Sequence, residues 1–151
     1  MSRESLAYDR SLIGQPGSRE AIDTPALVLD LIAFEANLAV MAQLARERGI
    51  ALRPHAKTHK SVTIARRQMA AGGIGQCCAK LGEAEVLADA GIGGLLLTSP
   101  VQHPAKIGRL MALARRAPDL AVVVEDEDNV RRLGEAAAAA GIRLAVLIDC
   151  D

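Results

Sequence analysis

The stretch GGIGQCCAKLGEAEVLADAGI, residues 72–92, holds one complete structural repeat. IGQCCA (74–79) is a short apolar run that reads as a strand, and LGEAEVLADA (81–90) carries apolar residues at three- and four-residue spacing, as a helix packed on one face requires. A glycine followed by isoleucine stands at each end of this unit. Glycine can take the left-handed conformation that stops a helix, and the isoleucine then opens the next strand. The same ending recurs as RGI at 48–50 and AGI at 140–142. The chain therefore repeats a β-α unit.

Working outward, ALVLDL (26–31), IALRPHAK (50–57), LLLT (95–98), LAVVVE (120–125) and LAVLID (144–149) read as further strands. AFEANLAVMAQLARER (33–48), SVTIARRQMAA (61–71), PAKIGRLMALARR (104–116) and EDNVRRLGEAAAAA (127–140) read as further helices. Alternation of this kind, with nearly continuous apolar strands, implies a parallel sheet covered by helices. Two α/β architectures fit. A doubly wound sheet of about five or six strands would be complete at this length, whereas a (β/α)8 barrel needs roughly 250 residues. Length favours the first. An end at Asp151, directly after an apolar strand with no covering helix, favours part of the second. Residues 1–22, with QPGS in their midst, read as a flexible leader, and the domain runs over 23–151.

Composition excludes several classes of function. Half of the 151 residues are apolar and 24% are charged, with 18 Lys and Arg balancing 18 Asp and Glu. Zero net charge and only two aromatic residues, Tyr8 and Phe34, argue against nucleic-acid binding, since neither a basic field nor a stacking platform is present. No apolar run approaches the ~18 residues of a membrane span, and the polar N-terminus has no signal-peptide apolar core. Three cysteines, two of them adjacent, form no framework and suggest reduced thiols in a cytoplasm.

Most chemistry-bearing residues have a structural explanation. GGIG (72–75) and GIGG (91–94) lie on the helix-to-strand side of their units, so they are helix stops rather than phosphate loops. Cys77 and Cys78 point to opposite faces of a strand and read as small core residues. His103, between Gln102 and Pro104, reads as exposed. The run Glu125–Asp128 suits a helix start. Asp149, at a strand end, reads equally as a ligand-side carboxylate or a loop cap.

RPHAKTHK (53–60) is different. On a strand, Arg53, His55, Lys57 and His59 would share one face, a costly arrangement in a packed core unless the groups are paired or liganded. Three readings stand: a solvated basic turn, a metal held by His55 and His59, and a reactive lysine at a strand's C-terminal end. The metal reading lacks a third ligand nearby. An amine among cations and low-dielectric walls is freed to attack an aldehyde.

DTPALVLDL (23–31), FEANL (34–38), ALRPHAKTHK (51–60), the 72–92 stretch and LLLTSPVQHPAKIGRL (95–110) together resemble the N-terminal part of D-threonine aldolases. These group with eukaryotic-type D-serine dehydratases and 3-hydroxy-D-aspartate aldolases, and more distantly with alanine racemase. The most specific piece is R-P-H-x-K-x-H-K. The resemblance implies a partial (β/α)8 barrel of the alanine racemase type, cut after about five strands, with the family's C-terminal β domain absent. It also implies a pyridoxal 5'-phosphate enzyme, a carbon–carbon lyase that cleaves D-threonine or related D-3-hydroxy amino acids to glycine and an aldehyde. Lys57 would be the catalytic, cofactor-bearing residue, with Arg53 and His55 also at the cofactor. A divalent metal belongs to the family, but its ligands match no residue here. A homodimer is expected at full length, acting on a small substrate with no nucleic-acid or membrane partner. The family continues beyond its V-D-x-G strand into R-x-G, whereas this chain reads IDCD (148–151). Three functions follow: the aldolase, a D-serine or 3-hydroxyaspartate dehydratase, or an inert fragment.

Overall fold

In the computed structural model, described over residues 11–150, four apolar runs become neighbouring parallel strands. They are β1 (Cys77–Cys78), β2 (Leu96–Leu97), β3 (Ala121–Val124) and β4 (Ala145–Ile148), laid side by side in chain order. Residues 1–10 of the leader and Asp151 lie outside the described residues. The chain divides into two units, residues 1–35 and 36–151.

In the first unit the short helix α1 (Ser18–Ala21) buries no residue. The strand expected over 26–31 does not form. Leu27, Val28 and Leu29 are exposed and irregular, and Asp30 instead starts helix α2 (Leu31–Arg48), its Oδ1 accepting from Ala33 N at 3.0 Å. A strand needs a ladder partner for its backbone groups, and among the described residues of this unit the run has none.

In the second unit the remaining helices are α3 (Val62–Ala70), α4 (Leu81–Asp89), α5 (Pro104–Arg116) and α6 (Glu127–Ala140). Each start has a local cause. Ser61 Oγ accepts from Ile64 N, and Asp126 Oδ1 accepts from Asn129 N at 2.6 Å. His103 is indeed exposed, and its Nδ1 accepts from Ala105 N ahead of Pro104. The helix stops are as the sequence suggests: Gly49, Gly72, Gly91 and Gly141 all have positive φ.

Register fixes which side chains share a face. Cys78, Leu97, Val122 and Val146 form one cross-strand row, and the first three are almost fully buried against the helices. Around them Leu95, Leu110, Leu113, Leu120, Val124 and Leu133 complete an aliphatic core. Cys77, Leu96, Ala121 and Ala145 form the alternate row on the opposite face, the inner face of a partial barrel.

The IALRPHAK run departs from expectation. It lies beside β1, with Ile74 N donating to the Leu52 carbonyl and Cys77 N to the Pro54 carbonyl at 2.7 Å, but its ladder ends at one bridge, His55 to Cys77. The chain then tightens into a 3₁₀ turn, Ala56–Thr58. His59 N and Lys60 N both donate to the Ala56 carbonyl, and Lys60 takes a left-handed φ of 49°.

Candidate active site

Parallel strands place all their C-terminal ends on one side, and in barrels that side carries the chemistry. Here it gathers His55 and Lys57, Thr98 after β2, Glu125 after β3 and Asp149 after β4. Asp149 continues the ladder, its N donating to the Val124 carbonyl at 2.9 Å, and the residue is exposed.

The expected face of four polar residues is corrected by the 3₁₀ turn. Alternation holds through Arg53 and His55 and then stops, so His59 leaves the row. His59 Nδ1 accepts from Ser61 N at 3.0 Å, its Nε2 is buried on the Gln68 side, and burial, outweighing the Gln68 side chain, pushes its pKa down. Among the described residues no group of three His, Cys, Asp or Glu side chains converges.

His55 is held at both ring nitrogens. Nδ1 accepts from Lys57 N at 3.3 Å, and Nε2 lies 3.2 Å from Thr98 Oγ1. Thr98 also reaches the Cys78 carbonyl, through Oγ1 at 3.1 Å and through N at 2.8 Å. Burial, and then the Lys57 charge beside it, push the His55 pKa down. The Arg53 carbonyl accepts from Cys77 Sγ at 3.3 Å, and the Arg53 Nε is buried with no hydrogen-bond partner among the described residues.

Lys57 itself is exposed, and its amine takes part in no hydrogen bond or ion pair among the described residues. A primary amine on a turn tied through its own backbone N–H, at the open end of a parallel sheet, fits a carbonyl cofactor that is bound covalently.

Of the adjacent cysteines only Cys78 is the core residue expected; Cys77 is half-buried and Cys150 is exposed. Cys78 is fully buried, and burial pushes its thiol up to about 12; Cys77, on the inner face, is raised in the same way. Two contributors escape sequence reading. Thr98 is one. Glu83 is the other: its Oε2 accepts from Ala79 N at 2.8 Å and Lys80 N at 3.4 Å, fixing the turn from β1 into α4. The only signal for Glu83 was its place three residues into a helix, where a carboxylate folds back on the start. Thr98 carried none, because its partners lie 20 and 43 residues away.

The fold and this arrangement define an alanine-racemase-type barrel module. The chain belongs to the family described as alanine racemase, N-terminal domain, which it matches over residues 29–151. It is 44% identical over 138 residues to the D-threonine aldolase of Arthrobacter sp., covering 91% of this chain and 36% of that protein. It is 35% identical over 130 residues to the D-threo-3-hydroxyaspartate dehydratase of Delftia sp. (strain HT23), covering 86% of this chain and 34% of that protein. The crystal structure of D-threonine aldolase from Filomicrobium marinum superimposes with a TM-score of 0.83 at 48% identity, covering 86% of this chain and 35% of that one. The chain thus spans about a third of the length of the relatives it matches.

Proposed function

We propose that this chain carries the lysine-bearing part of a pyridoxal-phosphate-dependent lyase that cleaves D-threonine or a related D-3-hydroxy amino acid to glycine and an aldehyde. The observation that supports it most is the exposed amine of Lys57, set at the strand-end face with its backbone tied to His55. When bound, pyridoxal phosphate supplies an electron sink for breaking the Cα–Cβ bond. Lys57 would hold it, with Arg53 and His55 contributing to its site and His55 tied to the Lys57 backbone N–H. Assembly as a homodimer and a cytoplasmic setting, the latter consistent with three free cysteines, belong to the same reading. No helix among the described residues is long and apolar enough to cross a membrane.

A second reading, a dehydratase acting on D-serine or 3-hydroxyaspartate, is supported by the 35% identity to the Delftia enzyme. The higher identity to the Arthrobacter aldolase, 44%, favours cleavage. Product analysis separates the two. A protein carrying the rest of the relatives' length should give glycine and acetaldehyde from D-threonine and nothing from L-threonine. Ammonia and a keto acid from D-serine, without glycine from D-threonine, would transfer the assignment to the dehydratase. The 151 residues alone should give no turnover, because positioning and electrostatic stabilisation come from a whole constellation rather than one amine.

A further inference from the structure

We propose that His55 is a positioning residue for Lys57, acting as a neutral imidazole locked in its Nε2–H tautomer between Thr98 and the backbone of Lys57. The hydrogen bonds at the two ring nitrogens favour this assignment. Thr98 Oγ1 has one proton and two neighbours, the Cys78 carbonyl at 3.1 Å and His55 Nε2 at 3.2 Å. The carbonyl can only accept, so the hydroxyl proton goes there and Nε2 must donate. At the other end Lys57 N–H, 3.3 Å away, can only donate, so Nδ1 must be unprotonated. Were the hydroxyl to donate to Nε2 instead, the proton moved to Nδ1 would confront the Lys57 N–H. The imidazolium would confront it equally.

The consequence is a relay from β2 to the lysine. Thr98, anchored to β1 through the Cys78 carbonyl, sets the ring, and the ring sets the first residues of the 3₁₀ turn that bears Lys57. The groups around the imidazole act on its protonation in opposing senses. Lys57, from the turn, disfavours the imidazolium; Glu83, from α4, and Cys77, from β1, favour it; burial weighs most and disfavours it.

The inference rests on the reading of Lys57 as the cofactor-bearing lysine only for its functional consequence. The tautomer can be read without cofactor, from nitrogen-15 NMR of histidine-labelled protein near neutral pH, with His55 assigned by loss of its signals in His55→Gln. Nε2 should be protonated and Nδ1 bare. Thr98→Val, which keeps the side-chain shape and the Thr98 N–H bond to Cys78, should mix the two tautomers. An Nδ1–H tautomer or an imidazolium in the wild type, or no change in Thr98→Val, would overturn the proposal. In the same proteins, the rate at which borohydride fixes pyridoxal phosphate on Lys57 should fall by roughly three- to tenfold in His55→Ala, the factor a single net hydrogen bond supplies. His55→Asn, whose Oδ1 can accept the Lys57 N–H, should recover most of it. Equal losses in the two variants would refute positioning through the backbone. Failure of the wild type to be labelled at Lys57 would instead refute the proposed function, with the tautomer result still deciding this inference.

Discussion

A methyl group on Gly75 would overlap the carbonyl oxygen of Gly94, so the chains entering β1 and β2 meet main chain to main chain. Gly94 also sits at a φ of 64°, where other residues are strained. The predicted outcome of Gly75→Ala is a loss of about 1–3 kcal/mol, the usual penalty for overpacking a site that cannot relax. Gly108→Ala, on α5 with no atom beyond the helix's own backbone and its chain neighbours within 4 Å of the added carbon, should be neutral or slightly stabilising. Urea melts of both variants check this, and equal effects would contradict the contact.

The same contact shows how far the sequence could be read. Glycine before each strand was legible as a helix stop, because the left-handed turn is a local matter, and β3 and β4 were legible because their aliphatic runs have no other use. The close approach of Gly75 to Gly94 was not, since it needs two repeats to be placed together. The run 50–57 was misjudged for a physical reason. Past His55 the main chain closes on itself, with the Ala56 carbonyl taking two N–H groups and His55 Nδ1 taking that of Lys57. Lys57 and His55 stand out in the sequence by their motif; Thr98, which bonds the His55 ring from 43 residues away, does not. From the residue pattern both the doubly wound sheet and the barrel stayed open, with length favouring the first, and the family resemblance moved the reading to the barrel.

Stability should fall with acid before any carboxylate titrates. His55 and His59 both have folded pKa values pushed below the ordinary 6.5, chiefly by burial. The unfolded chain therefore takes up protons first as pH drops, and stability rises with pH across that window. The melting temperature should be flat above about pH 7.5, one unit above the ordinary histidine value. It should decline as pH falls through 6.5 towards the lower folded values. The double variant His55→Gln, His59→Gln should lose most of that slope. A wild-type melting temperature that climbs on acidification would contradict both assignments.

β4 pairs with β3 alone among the described residues, and its Val146, Leu147 and Ile148 are exposed by 45%, 43% and 76%. An apolar strand with a free edge invites pairing with another chain. Sedimentation velocity of the 151-residue chain should show association that increases with concentration, and Ile148→Lys should reduce it. A monodisperse monomer at high concentration would contradict this.

The central claim is the identity of one amine, and borohydride reduction in the presence of pyridoxal phosphate, followed by peptide mass analysis, tests it most directly. The account predicts the reduced pyridoxyl group on Lys57, on the turn tied to His55, with Lys57→Ala abolishing the label at no more than about 0.5 kcal/mol of stability, as for an exposed side chain. A label on Lys60, Lys80 or Lys106 with Lys57 untouched would contradict it.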